Sequence, residues 1–334
     1  MTAFTFGWKT SKSDASARMW VLVSAIAIIL TMTLGATGWS GDYGPRSEPV
    51  SLDNYDQVIY VAAGSSAGQK ADGSETAPFG SITQALSSAK PSSDKRVAIL
   101  VAMGTYTEET LQMEGGIDLF GGYSTKDWKR DIGANKTLLN GDHNRRVLLG
   151  ADDSRLDGFT IVGGRTDGFG GGLLCESASP EITNNVFRDN GTTRPSDFNT
   201  AHTIHQEGNG GGAIALMGSS PVIRGNLFSG NHTEVGNGGA LLCLSLSSPR
   251  VEKNLFVGNI SGTKDEQTRS SNGGAIGCSD YSDPRIDGNV LVENYASGRG
   301  DAGGIYLEYH CDARIARNLL TRNTSDDDGA AIYV

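Results

Sequence analysis

Gly170-Gly-Gly-Leu-Leu-Cys175, then Ser179-Pro-Glu-Ile-Thr-Asn-Asn-Val-Phe187, then Asn190: this phrase is written repeatedly along the chain. It returns as Gly211-Gly-Ala-Ile-Ala-Leu216, Ser220-Pro-Val-Ile223, Asn226-Leu-Phe228 and Asn231. A third copy reads Gly238-Gly-Ala-Leu-Leu-Cys243, Ser248-Pro-Arg-Val251, Asn254-Leu-Phe256 and Asn259. A fourth reads Gly273-Gly-Ala-Ile-Gly-Cys278, Asp283-Pro-Arg-Ile286, Asn289 and Asn294. A fifth follows with Gly303-Gly-Ile-Tyr-Leu307, Arg314-Ile315, Asn318 and Asn323, and a sixth opens at Gly329-Ala-Ala-Ile-Tyr-Val334.

A fixed phrase separated by inserts of variable length is the mark of a repeat architecture. Each copy holds short apolar triplets with period-two alternation, punctuated by Gly, Asn or Ser-Pro, and nothing between copies has helical periodicity. The fold class read from this is all-β: a single-stranded parallel β-helix, or solenoid, with each copy forming one coil of three short strands and three turns. Stacking then sets like residue on like. Leu173, Ile214, Leu241, Ile276, Ile305 and Ile332 form one inward column, and Cys175, Leu216, Cys243, Cys278, Leu307 and Val334 the next. Gly or Ala before each first column reads as a tight corner. Asn185, Asn226, Asn254, Asn289 and Asn318 read as stacked turn positions, because Asn tolerates the left-handed region and satisfies backbone groups with its amide. Pro180, Pro221, Pro249 and Pro284 stand just before a strand, where a missing N–H costs least.

Of 334 residues 46 are Gly, as turn-rich β structure requires. The formal charge of −10 and the few Lys residues exclude nucleic acid, which needs a basic footprint. They weigh less against a polyanionic sugar, since bound calcium bridges like charges.

The N-terminal 18 residues carry Lys9, Lys12 and Arg18 against Asp14, and residues 19–41 carry no charge at all. From Trp20 to Trp39 a helix rises about 28 Å, close to the hydrocarbon thickness, with a Trp at each interface. Positive charge before it and acid after it predict a single-pass span, N-terminus inside. A cleaved signal peptide is the other reading, and either way the remainder is extracytoplasmic. The domain reading is a cytoplasmic tail over 1–18, a transmembrane helix over 19–41, a loop-type linker over 42–57 and the β-helix over 58–334.

Val58-Ile-Tyr-Val61 opens the first strand, and Ile82, Ala85, Leu86 and Ala89 mark one face of a short helix. Val97 to Met103 is a strand, followed by Gly104-Thr-Tyr-Thr-Glu108. On these residues, with Ala77-Pro-Phe79, the chain resembles pectin-lyase-like right-handed parallel β-helix proteins, with a DUF1565-like N-terminal segment. The resemblance implies a right-handed coil and a helix that lids the open N-terminal end. It extends over 58–334 and is specific for fold, not activity, because that superfamily holds lyases, hydrolases, esterases, adhesins and inert scaffolds. Eight or nine coils are expected, a rod of about 40 Å at about 4.8 Å per rung.

The chemistry-bearing residues are few. Hydrolases of this kind need two carboxyls about 6.5–9.5 Å apart, and neither paired-Asp nor Arg-bearing catalytic motifs stand in this sequence; Asp152-Asp153 is a lone doublet. Arg250, Arg285 and Arg314 should stack outward beside Glu252 and Asp287 as an anion or partner surface, or as a mixed-charge face. His202 and His205 lie in the longest insert, 191–209, a metal-ligand spacing that is common by chance in a segment read as a partner-contacting excursion. Asp326-Asp-Asp328 reads as a solvated turn. The column cysteines read as free core thiols, and Cys311 is off-column. Since the last repeat carries no cap, the final strand and the coil beneath it, near Ile305, Leu307 and Ile315, are expected to be covered by another chain, with Tyr306 and Tyr333 as contact aromatics.

The functional expectation is a non-catalytic, membrane-anchored extracytoplasmic module without cofactor or metal. Its partners would be other membrane or periplasmic proteins, such as a large photosynthetic, respiratory or envelope complex of the inner membrane, with Trp20 and Trp39 at the membrane interfaces. The alternatives are a polysaccharide-active enzyme or carbohydrate-binding module, and a surface adhesin.

Overall fold

The computed structural model describes residues 43–65, 71–194, 209–263 and 271–334. The proposed span with Trp20 and Trp39, and the pair His202 and His205, lie outside the described residues. No helix among the described residues is long and apolar enough to cross a membrane.

The chain winds through four sheets of nine, eight, eight and six strands, and all strands within them pair in parallel with the same sheet one coil away. This is a parallel β-helix. The nine strands of the largest sheet, from Gln57–Val61 to Arg314–Ala316, make nine rungs. In the first clear repeat the strands are Leu173–Glu176, Glu181–Thr183, Val186–Arg188 and Gly191–Thr192. Each of the six coils from Arg155 onward therefore has four strands, while the two coils before it, from Val97 and from Ile117, have the expected three. The fourth is two residues long, too short for alternation to register, and it recruits Gly191 and Thr192 from what reads as an insert.

The inward columns are in register, and buried as far as the fifth repeat: Leu173, Ile214, Leu241, Ile276 and Ile305 at 0 %, and Cys175 through Cys278 at 1 % or less. Their last members, Ile332 and Val334, are instead exposed, at 37 % and 84 %, with no further coil over them among the described residues. Phe187, Phe228 and Phe256 stack at 5.1 and 4.6 Å between centroids, with nearly parallel ring planes. Every cysteine is free, and burial pushes the Cys175 thiol up to about 12.

The Asn columns work differently from the expectation. The left-handed residue is the one before each Asn, as at Asn184, Gly225, Lys253, Gly288 and Arg317. The Asn side chain instead turns inward and is buried. Asn226 Nδ2 donates to the Ile182 carbonyl at 2.9 Å and to Asn254 Oδ1 at 3.0 Å, which also accepts from the Asn226 N–H. The pattern repeats from Asn185 to Asn318, and again from Asn190 to Asn323. A corner cannot carry a regular strand ladder, so the amides replace it and pair with the corner's backbone N–H and C=O groups.

The helix α1, Ile82–Ser88, buries Ile82, Ala85 and Leu86 in the main core. Ser81 caps it, and Glu108 reaches back from the next coil. Its carboxylate accepts from the Ile82 N–H at 2.7 Å and from the Thr83 N–H at 2.8 Å. Tyr106 from the same segment donates to the Ala102 carbonyl and accepts from the Ala63 N–H. Gly104-Thr-Tyr-Thr-Glu108 is thus the clasp that fixes the helix to the first coils.

Residues 43–56, read as a loop-type linker, are irregular but docked. The Gly44 N–H donates to the Lys253 carbonyl at 3.2 Å, and Arg46 N–H to Asn184 Oδ1 at 3.3 Å. Val50, Leu52 and Tyr55 cover Leu100, Phe120 and Tyr123 on the outer face of the largest sheet. Apolar outward residues in three early coils need such a cover, and the strap supplies it.

Candidate binding groove

The outward side of the sheet holding Leu173–Glu176 is unusual. Its central column runs Leu149, Leu174, Ala215, Leu242, Gly277, Tyr306 and Tyr333. Leu174, Ala215, Leu242 and Leu244 are buried there as a second apolar cluster outside the solenoid core, with Phe169 and Met217 packed against it. The backbone leading into each coil folds over them: a Cβ on Gly210 would stand 2.7 Å from Leu242 Cδ2. Arg146 holds Phe169 in place by donating to its carbonyl at 2.8 Å and to that of Gly170 at 3.1 Å.

The turn that follows this sheet changes along the rod. One residue more separates Cys243 from Pro249 and Cys278 from Pro284 than Cys175 from Pro180. The longer turns place two successive residues in the left-handed region: Ser245 and Leu246, Asp280 and Tyr281, Tyr309 and His310. The shorter turns place one each, Ser177 and Gly218. A left-handed non-Gly residue costs roughly 1–2 kcal/mol, and such strain collects at functional surfaces.

Stacking holds these turns. The Leu246 N–H donates to the Asp280 carbonyl and the Tyr281 N–H to the Tyr309 carbonyl, both at 3.0 Å. Beneath them runs a buried serine ladder in which Ser219 N–H donates to Ser247 Oγ and Ser247 N–H to Ser282 Oγ. Cys311 takes the next place: its thiol is hydrogen-bonded by the backbone of Ser282 and Glu308, and burial pushes it up to about 11. It is off the apolar column because it belongs to this ladder.

The result is a groove of about 500 Å³ lined by Phe169, Met217, Leu244, Asp280, Tyr281, Tyr309 and His310. The Tyr281 and His310 rings stack at 4.9 Å and 17°, and Tyr281 is 54 % exposed. Asp280 accepts from the Ser245 hydroxyl at 3.1 Å. The two adjoining turns, 279–284 and 308–313, contain Asp280, Asp283, Glu308 and Asp312 and neither Lys nor Arg. None of the groove residues stands out in the sequence singly. The extra residue before Pro249 and Pro284 is the signal that marks them.

The residues singled out from sequence lie elsewhere. Arg250, Arg285 and Arg314 do stack in register, exposed, on the outer face of the largest sheet. Arg250 pairs with Glu252 and Arg285 with Asp287, each at 3.1 Å. Tyr306 and Tyr333 stack at 5.5 Å, but Tyr306 is only 7 % exposed and donates to Glu308 at 3.0 Å. It is a covered ring rather than a free contact aromatic, because Tyr333 lies on it. Asp152 accepts from the Ser179 N–H and Asp153 pairs with Arg96. Asp301, Asp327 and Asp328 bring carboxylate oxygens within 4.8 Å. They continue a third ladder, in which Asn272 N–H donates to Asn237, Asp301 N–H to Asn272 and Asp328 N–H to Asp301. Burial and the neighbouring Asp327 and Asp328 raise the Asp301 carboxyl.

The sequence profile of a family described as protein of unknown function (DUF1565) matches residues 65–283. The chain belongs to the DUF1565 family. The matched region starts before the cap helix and ends within the fourth repeat, so it includes the Glu108 clasp and the Asp280–Tyr281 turn. No curated protein and no solved structure matches the chain.

Proposed function

We propose that this DUF1565 protein is a non-catalytic binding module: a membrane-anchored, extracytoplasmic β-helix that acts as an accessory subunit of a larger membrane assembly. The carrying observation is the aromatic groove on strained turns, which supports a binding surface. The acids buried on the outer faces are engaged in structure. Asp157 is held by Arg130, Arg155, Thr183 and Asn184, and Asp118 by Arg96 and Tyr55. The uncharged run 19–41 supports a single-pass span of the inner membrane, with the preceding basic residues inside and the β-helix in the periplasm. The coil is taken as right-handed, as parallel crossovers almost always are.

The test is co-purification of the full chain from its native membrane in mild detergent. A stoichiometric partner that is lost on Tyr281→Gly supports the reading. Turnover of pectate, alginate or another uronan by the protein would overturn it.

A further inference from the structure

We propose that the groove receives an arginine side chain presented by a partner protein, the guanidinium lying on the exposed Tyr281 ring and pairing with the Asp280 carboxylate. The proposal rests on the protein-binding reading above and names the chemistry of the partner.

Four observations converge on it. The wall contains one carboxylate, Asp280, and aromatic rings from Phe169, Tyr281 and Tyr309, with His310 stacked on one face of Tyr281 and no Lys or Arg among its lining residues. The two stacked turns that build it also contain Asp283, Glu308 and Asp312 and neither Lys nor Arg, in a chain already at −10. A carboxylate has about four lone-pair sites, and the Ser245 hydroxyl takes only one of them on Asp280. Finally, the backbone pays for this arrangement: Asp280 and Tyr281 stand at φ 56° and 57°, where Gly or Asn would sit with less strain.

This chemistry selects among ligands. A planar guanidinium stacks on an aromatic face and binds a carboxylate through two parallel N–H bonds, which a compact, strongly hydrated ammonium does not do. An anionic segment is repelled by the four acids. A purely apolar segment leaves Asp280 desolvated with only the Ser245 hydroxyl as donor, which is costly.

The experiment uses the full chain and two probes, acetyl-Gly-Arg-Gly-Arg-Gly-amide and the same peptide with citrulline at both positions, a neutral isostere of arginine. Binding is read by saturation-transfer NMR on the side-chain δ-methylene protons. The arginine peptide should saturate in the millimolar range or tighter, and the citrulline peptide should bind at least about tenfold more weakly. Asp280→Asn keeps the shape and suits the left-handed backbone, and Tyr281→Gly relieves it. Both should retain the thermal midpoint and weaken the arginine peptide at least about tenfold. Equal binding of the two peptides, no saturation at millimolar concentration, or indifference to Asp280→Asn would overturn the proposal. So would a concentration-dependent dimer in light scattering that Asp280→Asn dissolves, since a second copy's exposed Arg column would then be the occupant. Co-purification of a partner without arginine-peptide binding sinks this inference and leaves the binding function standing. Peptide binding without any co-purifying partner does the reverse.

Discussion

Glu108 and Ile82 lie 26 positions apart, and the Glu108 carboxylate accepts the Ile82 N–H at 2.7 Å. The contact ties the first turn of the cap helix to a later coil, and it uses the negative charge that a helix N-terminus favours. Glu108→Ala leaves the Ile82 and Thr83 N–H groups without their acceptor. It should cost about 1–2 kcal/mol, in the range of losing a helix cap. Chemical denaturation gives the size, and hydrogen exchange at Ile82 and Thr83 should speed up before the coils around Phe228 do. Unchanged exchange at those two amides would show that the clasp is not what holds the helix.

The Asn ladder makes a graded prediction. Asn254→Ala deprives the Asn226 N–H of its acceptor and the Ile223 carbonyl of a donor, both in the dry interior. Each orphan costs about 1–3 kcal/mol, so a loss of about 3 kcal/mol is expected. Asn318→Ala removes equivalent bonds where the residue is only half buried and water substitutes, so it should cost clearly less. Comparison of the two denaturation midpoints checks the order.

Ala302 occupies a corner that Gly170, Gly211, Gly238, Gly273 and Gly329 fill in the other copies, and it does so at φ 55°. Ala302→Gly releases the strain of a left-handed Cβ but adds chain entropy to the unfolded state. Strain relief of about 1–2 kcal/mol exceeds that entropy of about 0.5–1 kcal/mol. A small rise in thermal midpoint should follow, and a fall would mean the Ala302 methyl packs too well to lose.

Asp157 is 0 % exposed. Burial raises its carboxyl, but the Arg130 and Arg155 guanidiniums outweigh that and hold it below the ordinary value of 3.8. The unfolded chain therefore binds this proton more readily than the folded one, and stability rises with pH through this range. The contribution is complete above about pH 4 and is lost as pH falls through the depressed folded value. Asp157→Asn should flatten the acid limb of the midpoint-against-pH curve. It should also cost about 3–5 kcal/mol at neutral pH, because Arg130 is left buried and unpaired. An acid limb as steep as that of the unmodified protein would assign it to other carboxylates.

Register itself is open to test. Ile276 is 0 % exposed, so Ile276→Asp places an unpaired charge between rungs and should prevent folding. Arg285 is exposed and pairs with Asp287, which Arg317 also holds. Arg285→Ala should stay within about 0.5 kcal/mol. The reverse pattern in expression and melting would put the strands one residue out of phase.

The sequence by itself determined the repeat, the parallel stacking, the inward columns from Leu173 to Ile305, the Pro positions and the site of the cap helix. Each is local and periodic: one coil cannot bury its apolar residues alone, so a repeated phrase has one economical packing. What only the tertiary structure decided is whatever depends on a neighbour one rung away. The two-residue fourth strand exists because Gly191–Thr192 has Arg165–Thr166 and His232–Thr233 beside it. The Asn side chains turn inward because the next coil brings an amide oxygen to their N–H. Cys311 looks out of place until Ser282 and Ser247 are stacked with it. The groove is the strongest case. The Asp280–Tyr281 turn, Tyr309 and Phe169 come from three different coils, and no spacing joins them. One extra residue in three turns sets the backbone left-handed, and stacking those turns at one-rung distance brings scattered residues to a single surface.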